Sequence, residues 1–207
     1  MNYFVTAIGT DSGKTVVSAI LAEALHAEYW KPVQAGYPTD TETLKKITAG
    51  SVYCHKERYV LNTPASPHYS AEVDGVMIQK EDFALPATQN HLVIEGAGGM
   101  LVPMNNEDFI IDLVPRFNAK IILVSNHYLG SINHTMLSLE LIKQRGYPLL
   151  GIIFNGPPNE ATEEIITRHT DAPCLLKIPQ LEEVNFSQVK HYAEQLKANL
   201  NGLDSQG

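Results

Sequence analysis

The sequence has 207 residues, 44% of them hydrophobic, and 23 acidic against 15 basic side chains give a formal net charge of −8. A chain of this length and composition can bury a hydrophobic core, and it favours a single domain that spans residues 1–207. The acidic balance argues against a nucleic acid or an anionic membrane as the main partner. The two cysteines, Cys54 and Cys174, form no disulfide framework. With no secretory leader and no apolar run of about 18 residues, we expect a cytoplasmic protein.

Short apolar runs alternate with segments of helical period. The runs predicted as buried strands are 3–7, 30–33, 92–95, 121–125 and 149–155, and the predicted helices are 14–27, 132–145 and 160–169. Strands that are apolar nearly throughout are typical of a parallel sheet covered on both faces. The pattern therefore predicts a three-layer α/β/α domain with a mostly parallel sheet. Residues 50–85 are predicted to lie beside this sheet, and 201–207 to form a flexible tail.

The sequence IGTDSGKT at 8–15, named here the phosphate loop, lies between the first predicted strand and helix. Gly13-Lys14-Thr15 matches the end of a nucleotide-binding loop, in which Lys14 would reach the β- and γ-phosphates and Thr15 would ligate Mg²⁺. The glycine usual five positions earlier is replaced by Ile8, with Gly9 following. An ordinary turn with a solvated lysine is the alternative. Because a lysine in the first helical turn opposes the helix dipole, a bound anion is favoured.

Three charged residues are candidates for the rest of a phosphoryl-transfer site. Glu95 ends a predicted strand, where ligands bind in α/β proteins, and is either a metal carboxylate or a cap of the following glycine-rich turn. Lys31 either faces an anion in a cleft or extends to solvent at a sheet edge. Asp40 is either an N-cap or a second metal carboxylate. The residues alone leave these alternatives open.

Seven features of the sequence, in chain order, resemble the dethiobiotin synthetase family. They are FVTAIGTDSGKT at 4–15, WKPVQAG at 30–36, Asp40, SPH at 66–68, VIEGAGGMLVP at 93–103, GSINHTML at 130–137 and KIPQL at 177–181. The resemblance implies a P-loop NTPase-like fold and an ATP-dependent ligase. Its implied reaction joins 7,8-diaminononanoate and CO₂, with ATP, to form dethiobiotin, ADP and phosphate. It also implies Mg²⁺ and a homodimer with the substrate site at its interface.

The resemblance also implies residue roles. It makes Lys31 and Lys14 catalytic, and Thr15, Asp40 and Glu95 metal ligands. The residues implied to bind the nucleotide and its metal are Asp11, Ser12, Gly13, Lys14, Thr15, Val16, Asp40, Glu95, Gly96, Ala97, Gly98, Asn155, Gly156, Pro179, Gln180 and Leu181. Those implied to bind diaminononanoate are Thr10, Lys31, Ala35, Gly130, Ser131 and Asn133. The helix beginning near Gly130 would receive the substrate carboxylate across the dimer interface.

The sequence departs from the family pattern twice. The family reads G-T-D-T-x-V-G-K-T, whereas residues 8–12 here are Ile-Gly-Thr-Asp-Ser. Ala35 stands where the family has a Ser or Thr hydroxyl, and Gln34 is a candidate replacement donor.

Other nucleotide-dependent functions fit less well. A nucleotide-switch ATPase of the partitioning type carries an extra lysine early in the loop, and residues 7–12 contain none. Asn155-Gly156-Pro157-Pro158 is not the N-K-x-D motif of guanine-binding switches. An ATP-dependent amidotransferase would need a glutamine-hydrolysing domain with a nucleophilic cysteine.

Overall fold

The computed structural model describes residues 1–204, within which the chain forms nine strands. They are β1 (Asn2–Ala7), β2 (Glu28–Trp30), β3 (Val33–Ala35), β4 (Cys54–His55), β5 (Tyr59–Leu61), β6 (Leu92–Glu95), β7 (Ala119–Asn126), β8 (Leu149–Asn155) and β9 (Cys174–Ile178). Seven of them make one sheet in the order β4-β2-β6-β1-β7-β8-β9, and every neighbouring pair is parallel. Strands β3 and β5 form a separate parallel pair.

The described part of the chain also contains seven α-helices. They are α1 (Lys14–Leu25), α2 (Asp40–Ile47), α3 (Pro67–Asp74), α4 (Leu113–Arg116), α5 (Ser131–Gln144), α6 (Glu160–Arg168) and α7 (Phe186–Asp204). Helices α1, α2 and α7 bury their apolar side chains against one face of the large sheet, and α4, α5 and α6 bury theirs on the other. Helix α3 packs against the β3–β5 pair. The predicted three-layer architecture with a parallel sheet is confirmed. Within residues 1–204, the helices are too short or too polar to cross a bilayer.

Alternation along the strands explains why the sheet carries two cores. In β1, Tyr3 and Val5 join the core formed with α1 and α7, whereas Phe4 between them joins the core formed with α5 and α6. Successive strand side chains point to opposite faces. A strand apolar at every position is therefore stabilised by burial on both faces.

The predicted strand at 30–33 is wrong because two strands meet there. Strand β2 ends at Trp30, and β3 begins at Val33 and pairs with β5 outside the main sheet. Lys31 and Pro32 separate them. Proline has no N–H to donate to a sheet ladder, and the Lys31 ammonium turns towards oxygens of Glu95, at the end of β6, and Gly96. The chain thus leaves the large sheet at Lys31.

Other segments differ from prediction mainly at the chain's ends and edges. Residues 50–85 mostly lie beside the sheet, as expected, although β4 pairs with β2 at its edge. Strand β9 and helix α7 were not predicted from the sequence. Helix α7 continues to Asp204, so the tail expected to be flexible is helical that far, and residues 205–207 lie outside the described residues.

The strand order places the site. Strand β1 lies between β6 and β7, and its chain continues into the phosphate loop and α1. Strand β2 lies on the other side of β6. The carboxyl ends of three neighbouring parallel strands, β2, β6 and β1, therefore meet at one edge, where ligands of open α/β sheets bind.

Gly151 tests the packing of the sheet. A Cβ atom there would lie 2.5 Å from the Pro173 carbonyl oxygen and 2.7 Å from Leu175 Cγ, where β8 meets β9. Gly151→Ala should lower the free energy of unfolding by roughly 1–3 kcal/mol, the usual range for overpacking. The measurement is urea denaturation. Gly202→Ala is the matched control, because a Cβ atom added at this helical position would meet no neighbouring atom within 4 Å. This variant should be more stable than the wild type by less than about 1 kcal/mol. Equal stability of the two variants would contradict this packing.

Candidate active site

The phosphate loop is shaped by two residues with left-handed backbone. Asp11 has φ 54° and Gly13 has φ 87°, and Gly13 is the residue before α1. The Ser12 hydroxyl donates to the Gly9 carbonyl at 3.1 Å, which closes the loop on itself. The end of the loop is thus a helix N-terminus without a side-chain cap. Backbone N–H groups in this position favour an anion.

Lys14 is the first residue of α1 and is only 7% exposed. Its Nζ approaches the Gly9 carbonyl oxygen at 3.4 Å, so the side chain folds back over the phosphate loop. This excludes the alternative of a solvated first-turn lysine. A buried ammonium at a helix N-terminus is costly without an anion nearby, which supports phosphate as the ligand of this loop.

Lys31, Glu95 and Asp40 meet beside the loop. The Lys31 Nζ lies 2.5 Å from Asp40 Oδ2, 3.1 Å from Glu95 Oε1 and 2.8 Å from the Gly96 carbonyl oxygen. Lys31 is 3% exposed, so it faces a cleft and does not extend to solvent. Glu95 is 1% exposed and accepts hydrogen bonds on both oxygens, which excludes its role as a simple turn cap.

Strand register explains this meeting. Trp30 of β2 pairs with Ile94 of β6, so Lys31 follows directly beside Glu95. On the other side of β6, Val5 of β1 pairs with Glu95. The phosphate loop that follows β1 brings Thr15, whose hydroxyl donates to Glu95 Oε1 at 3.0 Å. Three strand ends therefore deliver the groups to one point.

Asp40 is not the N-cap of α2. Thr39 takes that position, accepting from the Glu42 N–H while Glu42 accepts from the Thr39 N–H in a capping box. Asp40 is thus left to point its carboxylate at Lys31. Of the two alternatives for Asp40, the capping role is wrong.

Gln34 holds the start of the same helix. Its Oε1 accepts from the Asp40 N–H at 3.0 Å, and its Nε2 donates to the Gly36 and Ala35 carbonyls at 3.0 and 3.3 Å. Both amide hydrogens are therefore used within the loop. Gln34 therefore positions Asp40, and its amide is not free to replace the hydroxyl donor that is missing at Ala35.

Tyr29 is a residue of this cluster that the sequence analysis missed. Its phenol is fully buried and donates to Glu95 Oε2 at 2.9 Å. The residue lies two positions before the recognised Lys31, but its contact depends on strand pairing, which no motif in the sequence indicates.

The charges of the cluster shift its pKa values. Burial lowers the pKa of Lys31, but the negative charges of Glu95 and Asp40 outweigh burial and raise that pKa above its usual value. Burial raises the pKa of Asp40, but the charge and hydrogen bond of Lys31 outweigh it, so this pKa is lowered. The pKa of Lys14 is lowered by burial and by the charge of Lys31. Lys31 is therefore a cation at neutral pH, suited to stabilising negative charge rather than accepting a proton.

A cavity of about 830 Å³ contains most of the predicted site residues. The predicted residues that line it are Thr10, Asp11, Ser12, Gly13, Lys14, Thr15, Lys31, Ala35, Asp40, Glu95, Ala97 and Gly98. Gly96 contributes its carbonyl to Lys31. The far wall is formed by residues 64–67, which end at the start of α3. This volume is in the range of small-molecule sites.

The cavity's oxygen donors suit Mg²⁺. Thr15, Asp40 and Glu95 offer a hydroxyl and two carboxylates, which are hard ligands. Both carboxylates already point at one cation, the Lys31 ammonium. Across residues 1–204, no group of three or more His, Cys, Asp or Glu side chains is placed to hold a metal ion. Mg²⁺ usually binds through one or two carboxylates plus substrate phosphates, so the donor set fits a metal brought by a nucleotide.

The remaining predicted residues lie outside this cavity. The Asn155 side chain donates to the Ser12 carbonyl at 2.9 Å and so touches the back of the phosphate loop. Gly156 donates its N–H to Ile178, the residue before 179–181, and Val16 lies on α1. Gly130, Ser131 and Asn133 form the start of α5, where Gly130 has φ 103° and no side chain caps the helix. Their binding roles stay predictions.

Comparison with known proteins agrees with this geometry. Residues 1–188 match a protein-family model described as an AAA domain. The ATP-dependent dethiobiotin synthetase BioD of Cytophaga hutchinsonii is 50% identical over 200 residues, covering 95% of this chain and 97% of that protein. The enzyme of the same name from Christiangramia forsetii is 46% identical over 203 residues, covering 96% and 97%.

Two solved structures share the fold at low sequence identity. The septum site-determining protein MinD of Pyrococcus horikoshii, complexed with Mg-ADP, matches with a TM-score of 0.57 and 17% identity, covering 99% of this chain and 96% of that one. A putative plasmid partition protein of Borrelia burgdorferi, bound to AMPPNP, matches with a TM-score of 0.59 and 11% identity, covering 98% of each chain. Partitioning ATPases are thus relatives by fold alone.

The parallel sheet and the phosphate loop before α1 define a P-loop nucleotide-binding protein. Within that class, the chain belongs to the family of ATP-dependent dethiobiotin synthetases, which are ligases that form C–N bonds.

Gly13 offers a test of the phosphate loop. A Cβ atom added to Gly13 would lie 2.2 Å from Asn155 Nδ2, and the left-handed backbone of Gly13 is strained for any other residue. Gly13→Ala should therefore weaken ATP binding, measured by calorimetry, by at least about tenfold, or 1.4 kcal/mol. Gly75→Ala is the control, since Gly75 also has a left-handed backbone but a Cβ atom added there would meet no atom within 4 Å. Unchanged ATP affinity in Gly13→Ala would show that nucleotide phosphates bind elsewhere.

Proposed function

We propose that this chain joins 7,8-diaminononanoate with CO₂ at the expense of ATP, forming dethiobiotin, ADP and phosphate. The observation that carries the proposal is the cluster of Lys31, Glu95, Asp40 and Thr15 at the phosphate loop. Family membership supports the same reaction. The cytoplasmic location inferred from the sequence remains part of this proposal.

The reaction proceeds by two attacks. One amine of diaminononanoate takes up CO₂ as a carbamate, whose oxygen attacks the γ-phosphorus of ATP and releases ADP. The resulting carbamic-phosphoric anhydride is attacked at its carbonyl carbon by the second amine, which expels phosphate and closes the cyclic urea. The protein supplies mainly positioning and charge stabilisation in such chemistry.

The two buried lysines supply the positive charge. Lys14 reaches over the phosphate loop from α1, where the transferred phosphoryl group would lie. Lys31 enters from the β2 end of the cavity as a permanent cation and meets the carbamate and the γ-phosphate from the other side. The roles of Asp40 and Glu95 are to hold Lys31 in place and, with Thr15, to ligate Mg²⁺. The metal, when bound, neutralises charge on the phosphate oxygens.

The remaining roles follow the family resemblance. Asn155, Gly156 and residues 179–181 would hold the adenine beside the phosphate loop, which the Asn155–Ser12 hydrogen bond already contacts. The substrate carboxylate would bind at the start of α5 in a partner copy of the chain. The exposed apolar side chains of Leu129, Ile132 and Leu137 at this helix support a homodimer interface.

An activity assay tests the function and Lys31 together. The wild-type protein should hydrolyse ATP only when diaminononanoate and bicarbonate are both present, with dethiobiotin formed in equal amount by mass spectrometry. Lys31→Met should lower kcat by roughly 10²–10³-fold, the usual loss for one preorganised electrostatic group. Lys120→Met, an exposed lysine near the start of β7, is the matched control. ATP hydrolysis independent of both substrates, or a Lys31→Met rate near normal, would contradict the proposal.

The dimer is tested by sedimentation velocity. The wild-type protein should sediment with twice the chain mass of 22.8 kDa. Leu129 is fully exposed in the single chain, so Leu129→Glu would place a charge in the proposed apolar interface and should shift the protein to a single chain. A wild-type monomer at enzymatically active concentrations would overturn the interface.

A further inference from the structure

Tyr29 is a buried polar group that the proposed reaction does not use. It lies in β2, two residues before Lys31, and its ring is fully buried against α1 in the core on that face of the sheet. Its hydroxyl donates to Glu95 Oε2 at 2.9 Å. A fully buried tyrosine introduces a polar atom that must be satisfied, and the partner of this one is a carboxylate of the site.

The two oxygens of Glu95 have different partners. Oε1 accepts from the Thr15 hydroxyl at 3.0 Å and from Lys31 Nζ at 3.1 Å, both of which line the cavity. Oε2 accepts from Tyr29, on the side of the protein core. Rotation of the carboxylate would break the bond to Tyr29 and leave a phenol and a carboxylate oxygen without partners in a dry environment, which is costly. The phenol thereby fixes the orientation of the carboxylate plane, with one oxygen towards the cavity and the other towards the core.

Strand register gives Tyr29 this reach. Tyr29 pairs with Val93, and Glu95 lies two residues further along β6, on the same face of the sheet. The ring spans the distance between the two positions. A carboxylate oxygen can only accept, so in this hydrogen bond the phenol is the donor.

We infer that Tyr29 is a positioning residue for the metal: it holds Glu95 so that one carboxylate oxygen faces Thr15 and the cation carried by the nucleotide. This inference rests on the proposed role of Glu95 at the Mg²⁺ site. Mutation of a group that hydrogen-bonds and orients a metal ligand typically lowers metal affinity about 10- to 100-fold. Tyr29 should therefore act on Mg²⁺ through Glu95 without touching it.

The test compares nucleotide binding with and without the metal. Tyr29→Phe keeps the ring and removes the hydroxyl. We expect its affinity for ADP in the presence of Mg²⁺, measured by calorimetry, to fall roughly 10- to 100-fold. Its affinity for ADP in EDTA should stay within about twofold of the wild type, because the phosphate loop is intact. The Mg²⁺ concentration for half-maximal activity should rise by a similar factor.

Tyr59→Phe is the matched control. Tyr59 is also buried and donates its hydroxyl to a carboxylate, Asp82, and neither residue is among those that line the cavity in the described chain. This variant removes the same kind of hydrogen bond, a phenol to a carboxylate, at a position away from the cavity. Its binding of ADP should match the wild type with and without Mg²⁺.

Each outcome decides the inference. Equal Mg²⁺-dependent affinity in Tyr29→Phe and wild type overturns it, as does an equal loss with and without the metal, which would indicate a merely structural residue. If Tyr29→Phe does not fold, Tyr29→Met replaces it, since methionine fills irregular core space; failure of both to fold also overturns it. ADP binding needs no diaminononanoate, so the result stands apart from the proposed reaction, which fails separately if the wild type forms no dethiobiotin.

Discussion

The site depends on the pairing and hydrogen bonding of one buried carboxylate, that of Glu95. A charge removed from water is tolerated only where it is paired and hydrogen-bonded, and Glu95 is paired with Lys31 and hydrogen-bonded by Thr15 and Tyr29. These partners come from two separate pieces of chain: β2 with the residue that directly follows it, and the first turn of α1. Loss of any partner leaves a buried charge less satisfied. The same contacts that lower this cost also bring Lys31, Glu95 and Thr15 together at the cavity.

The site combines two lysines with two carboxylates inside an acidic molecule. The chain carries a net charge of −8, yet Lys14 and Lys31 are both buried at one cavity. Asp40 and Glu95 balance them locally, and the raised pKa of Lys31 with the lowered pKa of Asp40 reflects that balance. A balanced set of this kind accepts an anion together with its counter-cation, as Mg²⁺ and ATP would be. Neither an anion nor a cation alone matches both halves of the cluster.

The sequence predicted the parts of the fold and site that depend on local pattern. Continuous apolar strands and the Gly13-Lys14-Thr15 turn identified the sheet, α1 and the phosphate loop, and Glu95 was recognised because it ends a strand. What depends on register was missed: Tyr29 reaches Glu95 only because β2 pairs with β6. Thr39 was missed as the cap of α2 although T-x-x-E at 39–42 is a capping-box pattern. The apolar spacing at Val189, Ala193 and Leu196, which bury α7, was also overlooked. The role proposed for the start of α5 would require a second copy of the chain, which the residue pattern of one chain does not indicate.

The most direct test is a crystal structure of the protein with Mg²⁺ and a non-hydrolysable ATP analogue. Mg²⁺ should lie about 2.1 Å from the Thr15 hydroxyl and from a phosphate oxygen, with the Asp40 and Glu95 carboxylates reaching it directly or through water. The triphosphate should follow the backbone of residues 9–15, with Lys14 beside the γ-phosphate. A nucleotide bound away from this loop, or a metal without Thr15 among its ligands, would contradict the central role given to the Glu95 cluster.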